Sequence, residues 1–213
     1  MPDHLIENPE ATVDAGSLTP GSAAPGVFID PERISLVRIA SVDDPLFPMV
    51  SRLLEQSFVA DERGDFDEAL LANGRFHLHG VLSSGDFVAL LSWWRFDEFL
   101  FAEHFAIDEK IRSRGLGSAI VQNFLSMHPG ILIVGECERP ETETASRRLD
   151  FFRRLGFFVN EHQYMQPPYS ESKSPVPMVI ISHPRPISGS EFTAIRDTIY
   201  QGVYGCSGPG AGA

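Results

Sequence analysis

Between residues 110 and 118 the chain reads KIRSRGLGS, with Arg112 and Arg114 interleaved with Gly115 and Gly117 and followed by Ser118. Glycines let a ligand approach the backbone with no Cβ in the way, and a loop that turns into a helix points its first N–H groups outward. Two guanidinium groups beside such a loop suit a phosphate. A tight turn carrying solvated arginines needs the same residue types, so spacing alone leaves both readings open. Other phosphate motifs fit less well. The dinucleotide pattern GxGxxG would need a small residue where Ile120 stands, and GVLSSGDF (80–87) has P-loop glycine spacing with Asp86 in place of the required lysine.

Few other side chains have spacing that implies chemistry. His77 and His79 share one face of a predicted strand, but no third ligand accompanies them, and packing is the preferred reading over a metal site. Glu103 and His104 are adjacent, so on a regular strand they point to opposite faces and cannot enter one cleft; a bulge would change that. Trp93 and Trp94 are adjacent too, one expected in the core and the other in the opposite layer or a cleft. No GxSxG nucleophile elbow occurs. Cys137 and Cys206 form no CxxC, which fits a reducing cytoplasm and excludes a zinc ribbon or disulfide framework.

The elements that position these residues can be read from periodicity. ISLVRIA (34–40) alternates as a strand, and DPLFPMVSRLLEQSF carries Leu46, Val50, Leu53, Leu54 and Phe58 at helical spacing, with Asp44 and Pro45 as cap and first turn. A shorter helix around DFDEALLAN ends at Gly74, read as a C-cap. RFHLHGVLS, DFVALLSWWRF and FLFAEHFAI are three consecutive strands, the first two joined through a tight Ser84-Gly85-Asp86 turn. After the glycine loop, Leu116, Ile120, Phe124 and Met127 mark a helix that Pro129-Gly130 stops. ILIVGEC is an apolar strand parallel to the one before that helix, and TASRRLDFFRRLG is an amphipathic helix closed by Gly156. FFVN is a strand, QPPYSESKSPVP a loop, MVIIS a strand, and SGSEFTAIRDTIYQ a last helix whose Phe192, Ile195 and Ile199 either cover the sheet or form a homodimer contact. The fold class is therefore α/β (α+β), with a mixed central sheet of about six to seven strands and helices on both faces.

The loop in this context resembles the acetyl-CoA pyrophosphate loop of the GNAT N-acetyltransferases, R/Q-x-x-G-x-G/A, between a strand and a helix, and FFRRLGF (151–157) looks like the family's FYxxxGF segment. The resemblance spans residues 34 to 182. It implies acetyl-CoA as cosubstrate with no metal, and transfer of the acetyl group to a primary amine of a small molecule by direct attack. The backbone of Phe105, Ala106 and Ile107 would line the pantetheine arm and acetyl carbonyl, and Arg112, Ser113, Arg114, Gly115, Leu116, Gly117 and Ser118 would hold the pyrophosphate. Glu103 falls where many members carry the general base, with a surface or ion-paired glutamate as the plain alternative. The family's thiolate-protonating tyrosine aligns with Phe152, which can pack against the cosubstrate but has no proton to give. Tyr164 or Tyr169, placed in a loop on the acceptor side, would then supply it, or solvent would. The Asn common in the preceding turn aligns with Ala145. A GNAT fold that binds acyl-CoA without efficient chemistry, or one that acetylates a protein or peptide, are the alternatives.

Composition bounds the partners. With 17 Lys and Arg against 29 Asp and Glu the net charge is -12, which repels a nucleic-acid backbone and favours cations such as amines. MPDHLIENPE is not a signal peptide, and no apolar run approaches the roughly 18 residues a spanning helix needs, so no membrane partner and a cytoplasmic location are expected. Residues 1–26 hold four acids, four prolines and no Lys or Arg, and are expected to be a flexible tail; 27–204 form one acetyltransferase domain, and the Gly-rich 205–213 a second loose end.

Overall fold

A computed structural model describes residues 33–111 and 115–207, so the expected tail at 1–26 and most of the loop arginine segment lie outside the described residues. The strands are β1 (Ile34–Ile39), β2 (Phe76–Ser83), β3 (Asp86–Arg95), β4 (Phe99–Ile107), β5 (Leu132–Glu138), β6 (Phe158–Gln166) and β7 (Val176–His183). The helices are α1 (Phe47–Ser57), α2 (Glu68–Leu71), α3 (Leu116–Met127), α4 (Glu143–Arg154) and α5 (Gly189–Gly202). The seven strands form one sheet in the order β1-β2-β3-β4-β5-β7-β6. Only β4 and β5 run parallel, because α3 carries the chain back between them; every other described pair is antiparallel.

Two cores follow from this layering. On one face Val50, Leu53 and Leu54 of α1, Leu71 of α2 and Phe192, Ile195 and Ile199 of α5 pack on Leu78, Trp94, Phe101 and Val134. On the other, Leu116, Ile120 and Phe124 of α3 and Leu149 of α4 pack on Leu91, Trp93, Leu100 and Ile133. The adjacent tryptophans thus anchor opposite layers. Helix α5 covers the sheet, and each of its fully buried apolar side chains contributes about 1.5–3 kcal/mol.

Several local expectations are corrected. Asp44 Oδ1 accepts from Leu46 N at 2.8 Å in a turn ahead of α1, whose first turn instead holds Pro48. Helix α2 spans four residues and ends at Ala72, so Gly74 is not its C-cap. Met127 is 53% exposed, so the last turn of α3 does not carry its apolar stripe into the core. Strand β6 runs on to Gln166 and contains Tyr164, which the loop reading had misplaced; MQPP looked like a loop because its prolines follow the strand directly. Other signals match the backbone. Ser84 and Gly85 both have positive φ, 52° and 93°, as a tight hairpin turn requires. Helix α5 starts in a capping box of Ser188 and Glu191. No described helix is long and apolar enough to cross a membrane.

Candidate active site

The parallel pairing of β4 and β5 runs from Phe99 opposite Leu132 to Ala102 opposite Gly135 and stops there, although β4 continues to Ile107 and β5 to Glu138. The cause lies on the other side of β4. Against β3, Ser92 faces His104 while the next residue, Trp93, faces Ala102, so Glu103 is an extra residue in the ladder. Such a bulge bends its strand and shifts the alternation of faces by one. Phe101 and Ala106 consequently belong to the same core although an odd offset in sequence would place them on opposite faces of a regular strand, and Glu103 and His104 both point into the gap. The bulge resolves the sequence expectation that these two side chains diverge. Between the parting strands lies a cavity of about 90 Å³ lined by Ala102 to Phe105, Gly135 to Cys137 and Phe152.

Glu103 is fixed at both oxygens. Tyr169 OH donates to Oε1 at 2.8 Å, while Trp94 Nε1 and Ser92 Oγ donate to Oε2 at 3.0 and 3.3 Å. His104 Nδ1 lies 3.6 Å from Oε2, and the Glu103 side chain is only 4% exposed. Burial alone would raise its pKa, but the adjacent His104 and the hydrogen bonds from His104, Tyr169 and Trp94 outweigh it and hold the carboxyl below its ordinary value. His104 is itself steered by Ser92 Oγ at 3.2 Å from Nδ1 and by the Glu62 carbonyl at 3.2 Å from Nε2.

Across the gap, one step past Gly135, stands a second carboxyl that the sequence reading missed. Glu136 Oε1 accepts from Tyr164 OH, and Oε2 accepts from Tyr204 OH at 2.8 Å. Burial pushes its pKa up to about 7 despite the two hydroxyls, and the charge of Glu103 adds to the rise. Its signal was present as an acid inside the apolar run ILIVGEC, since a buried carboxyl must find partners or give up its charge. All four tyrosines of the chain gather here, with Tyr169 and Tyr204 edge to face at 4.9 Å and Tyr164 and Tyr200 at 5.7 Å. Tyr164 and Tyr169 therefore each hold a carboxyl, and burial raises both phenol pKa values well above normal.

Beside the cavity a cleft of about 330 Å³ opens along the far half of β4. Five residues singled out in the sequence line it: Phe105, Ala106, Ile107, Gly117 and Phe152. A Cβ on Gly117 would come 3.1 Å from Ile107 Cδ1 and 3.4 Å from Phe151 Cζ, so glycine keeps the cleft open. Gly115 is the N-cap of α3 with φ of 75°, a conformation that favours glycine. Leu116 is 1% exposed and can offer a ligand only its backbone; Ser118 sits in the first turn of α3. Arg112, Ser113 and Arg114 lie outside the described residues. From α4 the cleft gains Thr144, Arg147, Arg148 and Phe151, which the sequence reading did not assign. Arg147 pairs with Glu143 and Arg148 with Glu138.

No protein-family model matches the chain. No curated protein matches it either. Among solved structures, a protein of Bacteroides thetaiotaomicron assigned to the GNAT acetyltransferase family superposes with a TM-score of 0.75 at 28% identity, covering 82% of this chain and 99% of that one. The chain belongs to the GNAT superfamily of acetyltransferases. An acetyltransferase of Thermus thermophilus shares the fold of this chain at a TM-score of 0.51 and 15% identity, covering 71% of this chain and 97% of that one. A Corynebacterium glutamicum structure described as histone acetyltransferase HPA2 and related acetyltransferase gives 0.50 and 16%, covering 74% and 99%.

Within this GNAT domain two loops meet over Glu103. Gln166 Nε2 and Ser174 N donate to the Asp61 carbonyl and to Asp61 Oδ1, both at 3.0 Å, and Lys173 Nζ donates to the Arg63 carbonyl. Glu62, half-buried in the first of these loops, has its pKa raised by burial and by nearby Glu138. On the opposite sheet face His77 stacks on Trp93 at 3.9 Å and 3°, with His79 and His128 alongside. Burial, reinforced by neighbouring positive charge, lowers the pKa of His77 and of His79 to about 4. Among the described residues no group of three or more His, Cys, Asp or Glu side chains converges as a metal set.

Proposed function

We propose that this protein transfers the acetyl group of acetyl-CoA to a primary amine of a small molecule, by direct attack within a ternary complex. The observation that carries the reading is the parting of β4 from β5 beyond Ala102 and Gly135, which places an open cleft and two buried carboxyls on either side of one cavity. The pantetheine arm lies along Phe105 to Ile107, beside Gly117 and Phe152. The pyrophosphate rests on the segment from Arg112 to Ser118, where the N-terminus of α3 and the loop arginines offset its charge. Arg147 and Arg148 on α4 line the same cleft and could exchange their pairing with Glu143 and Glu138 for the phosphates.

The acceptor amine enters beside Glu103 and Glu136, and an ammonium gains there from a fixed anion in a site shielded from water. The net charge of -12 draws cations toward that mouth. Phe152, standing where the family's tyrosine is expected, favours a second reading in which the protein binds acyl-CoA without efficient turnover.

Titration calorimetry with acetyl-CoA, on the wild type and on Gly117→Glu, tests the first half of the proposal. Thiol release over a panel of primary amines tests the second. Binding lost in Gly117→Glu together with amine-dependent thiol release is expected. No binding by the wild type would overturn the transferase reading, and binding without release over the panel would select the second one.

A further inference from the structure

Two carboxyls face one cavity, and their surroundings assign them different tasks. Building on the transferase reading above, we infer that Glu136 is the catalytic base that takes the proton from the acceptor ammonium, while Glu103 is the fixed anion that receives it.

The distinction begins with the donors. Glu103 is held by an indole N–H, which can only donate, and by Ser92 and Tyr169 hydroxyls that occupy both of its oxygens. A proton arriving on Oε2 would break the indole contact, which cannot reverse. Among the described residues, Glu136 is held only by the hydroxyls of Tyr164 and Tyr204. A hydroxyl donates or accepts as it rotates, so when Glu136 takes a proton one tyrosine can turn and accept from it. The two partners form a cradle that serves both protonation states.

Placement supports the same division. Glu136 follows Gly135, the last residue of β5 paired with β4, and lines the cavity together with Glu103, Phe105 and Cys137. The charged and titratable groups around it are Glu103 and His104 on β4, Glu62 in the loop after α1, Glu138 on β5 and Arg148 on α4. Tyr164 of β6, Tyr169 in the loop after it, Tyr200 of α5 and Tyr204 beyond α5 complete the surroundings. Its raised pKa, about 7, matches a base working near neutral pH, whereas that of Glu103 is depressed.

The transfer balances as follows. The ammonium gives one proton to the Glu136 carboxylate, leaving a neutral amine. The nitrogen lone pair attacks the thioester carbonyl carbon, forming the C–N bond as the C=O π pair moves to oxygen. That pair returns as the C–S bond breaks, the thiolate leaves with its electrons and takes the second proton lost by nitrogen. Glu136 then releases its proton to solvent, and amide, free thiol and one proton are the products.

The test compares Glu136→Gln, Glu103→Gln and Tyr204→Phe with the wild type. Each is measured for acetyl-CoA affinity by calorimetry and for the pH dependence of kcat and kcat/KM, with benzylamine and 1,4-diaminobutane as acceptors. Glu136→Gln should keep its affinity for acetyl-CoA, lose roughly 10²–10⁴-fold in kcat, and lose the acidic limb of the profile. Glu103→Gln should keep that limb and raise the acceptor KM. Tyr204→Phe removes a donor to the carboxylate and should move the limb to higher pH, a shift that a purely structural role would not cause. An unaltered limb and kcat in Glu136→Gln, or loss of the limb in Glu103→Gln instead, would overturn the assignment while leaving the transferase reading intact. Failure of the wild type to bind acetyl-CoA would remove both.

Discussion

The hydroxyl of Tyr169 stands 2.8 Å from Oε1 of Glu103, joining residues 66 positions apart in sequence. Tyr169→Phe leaves the carboxylate to Trp94 and Ser92. The lost bond is one to a charged group, so a stability cost of about 1.5–3 kcal/mol is expected from urea denaturation. Activity should fall with it, because the anion loses its alignment.

Gly64 lies against the same ring. A Cβ there would sit 2.9 Å from Tyr169 Cδ1 and 3.2 Å from Cε1, so Gly64→Ala must push the ring aside. The expected outcome is a raised acceptor KM with unchanged acetyl-CoA affinity, since Gly64 does not line the cleft beside β4. Equal losses in both constants would refute this separation.

Phe152 borders both the cavity and the cleft. Phe152→Tyr places a hydroxyl near the departing thiolate and is expected to raise kcat by roughly 10²-fold, the low end of what a positioned acid supplies. An unchanged kcat in steady-state thiol release would mean that protonation of the thiolate does not limit turnover.

The imidazole of His77 is stacked on Trp93 with its pKa lowered to about 4. Between pH 6.5 and 4 the unfolded chain therefore binds protons that the folded chain refuses, so stability is full above 6.5 and falls as pH drops toward 4. His77→Phe keeps an aromatic ring on Trp93 and removes that titration. Its melting temperature should fall less than that of the wild type over the same range, as read by circular dichroism.

Much of the cleft beside β4 was legible because its signals are local. Gly115 and Gly117 follow a strand and open a helix, and Phe105 to Ile107 and Phe152 take their places from the flanking elements. Glu136 and Tyr204 escaped because their meeting spans 68 residues and no periodicity marks it. The bulge escaped for a different reason. In FLFAEHFAI apolar residues occupy both faces, so the alternation carries no phase mark that would reveal an extra residue. Tyr164 was assigned to a loop because Pro167 and Pro168 follow so closely, yet its strand keeps pairing with β7 through Gln166.

The extra residue at Glu103 is a matter of chain length rather than of side-chain identity. Point substitutions can retune the carboxyls, the tyrosines and Phe152, but they leave the count of residues between Phe101 and Ala106 untouched. Removing one residue there would let β4 pair without interruption and leave Phe101 and Ala106, then four positions apart, on the face they already share, so the ladder would close and no extra residue would turn a carboxyl into the gap. The geometry of the site is therefore protected from single-base replacement and exposed to the loss of a single codon.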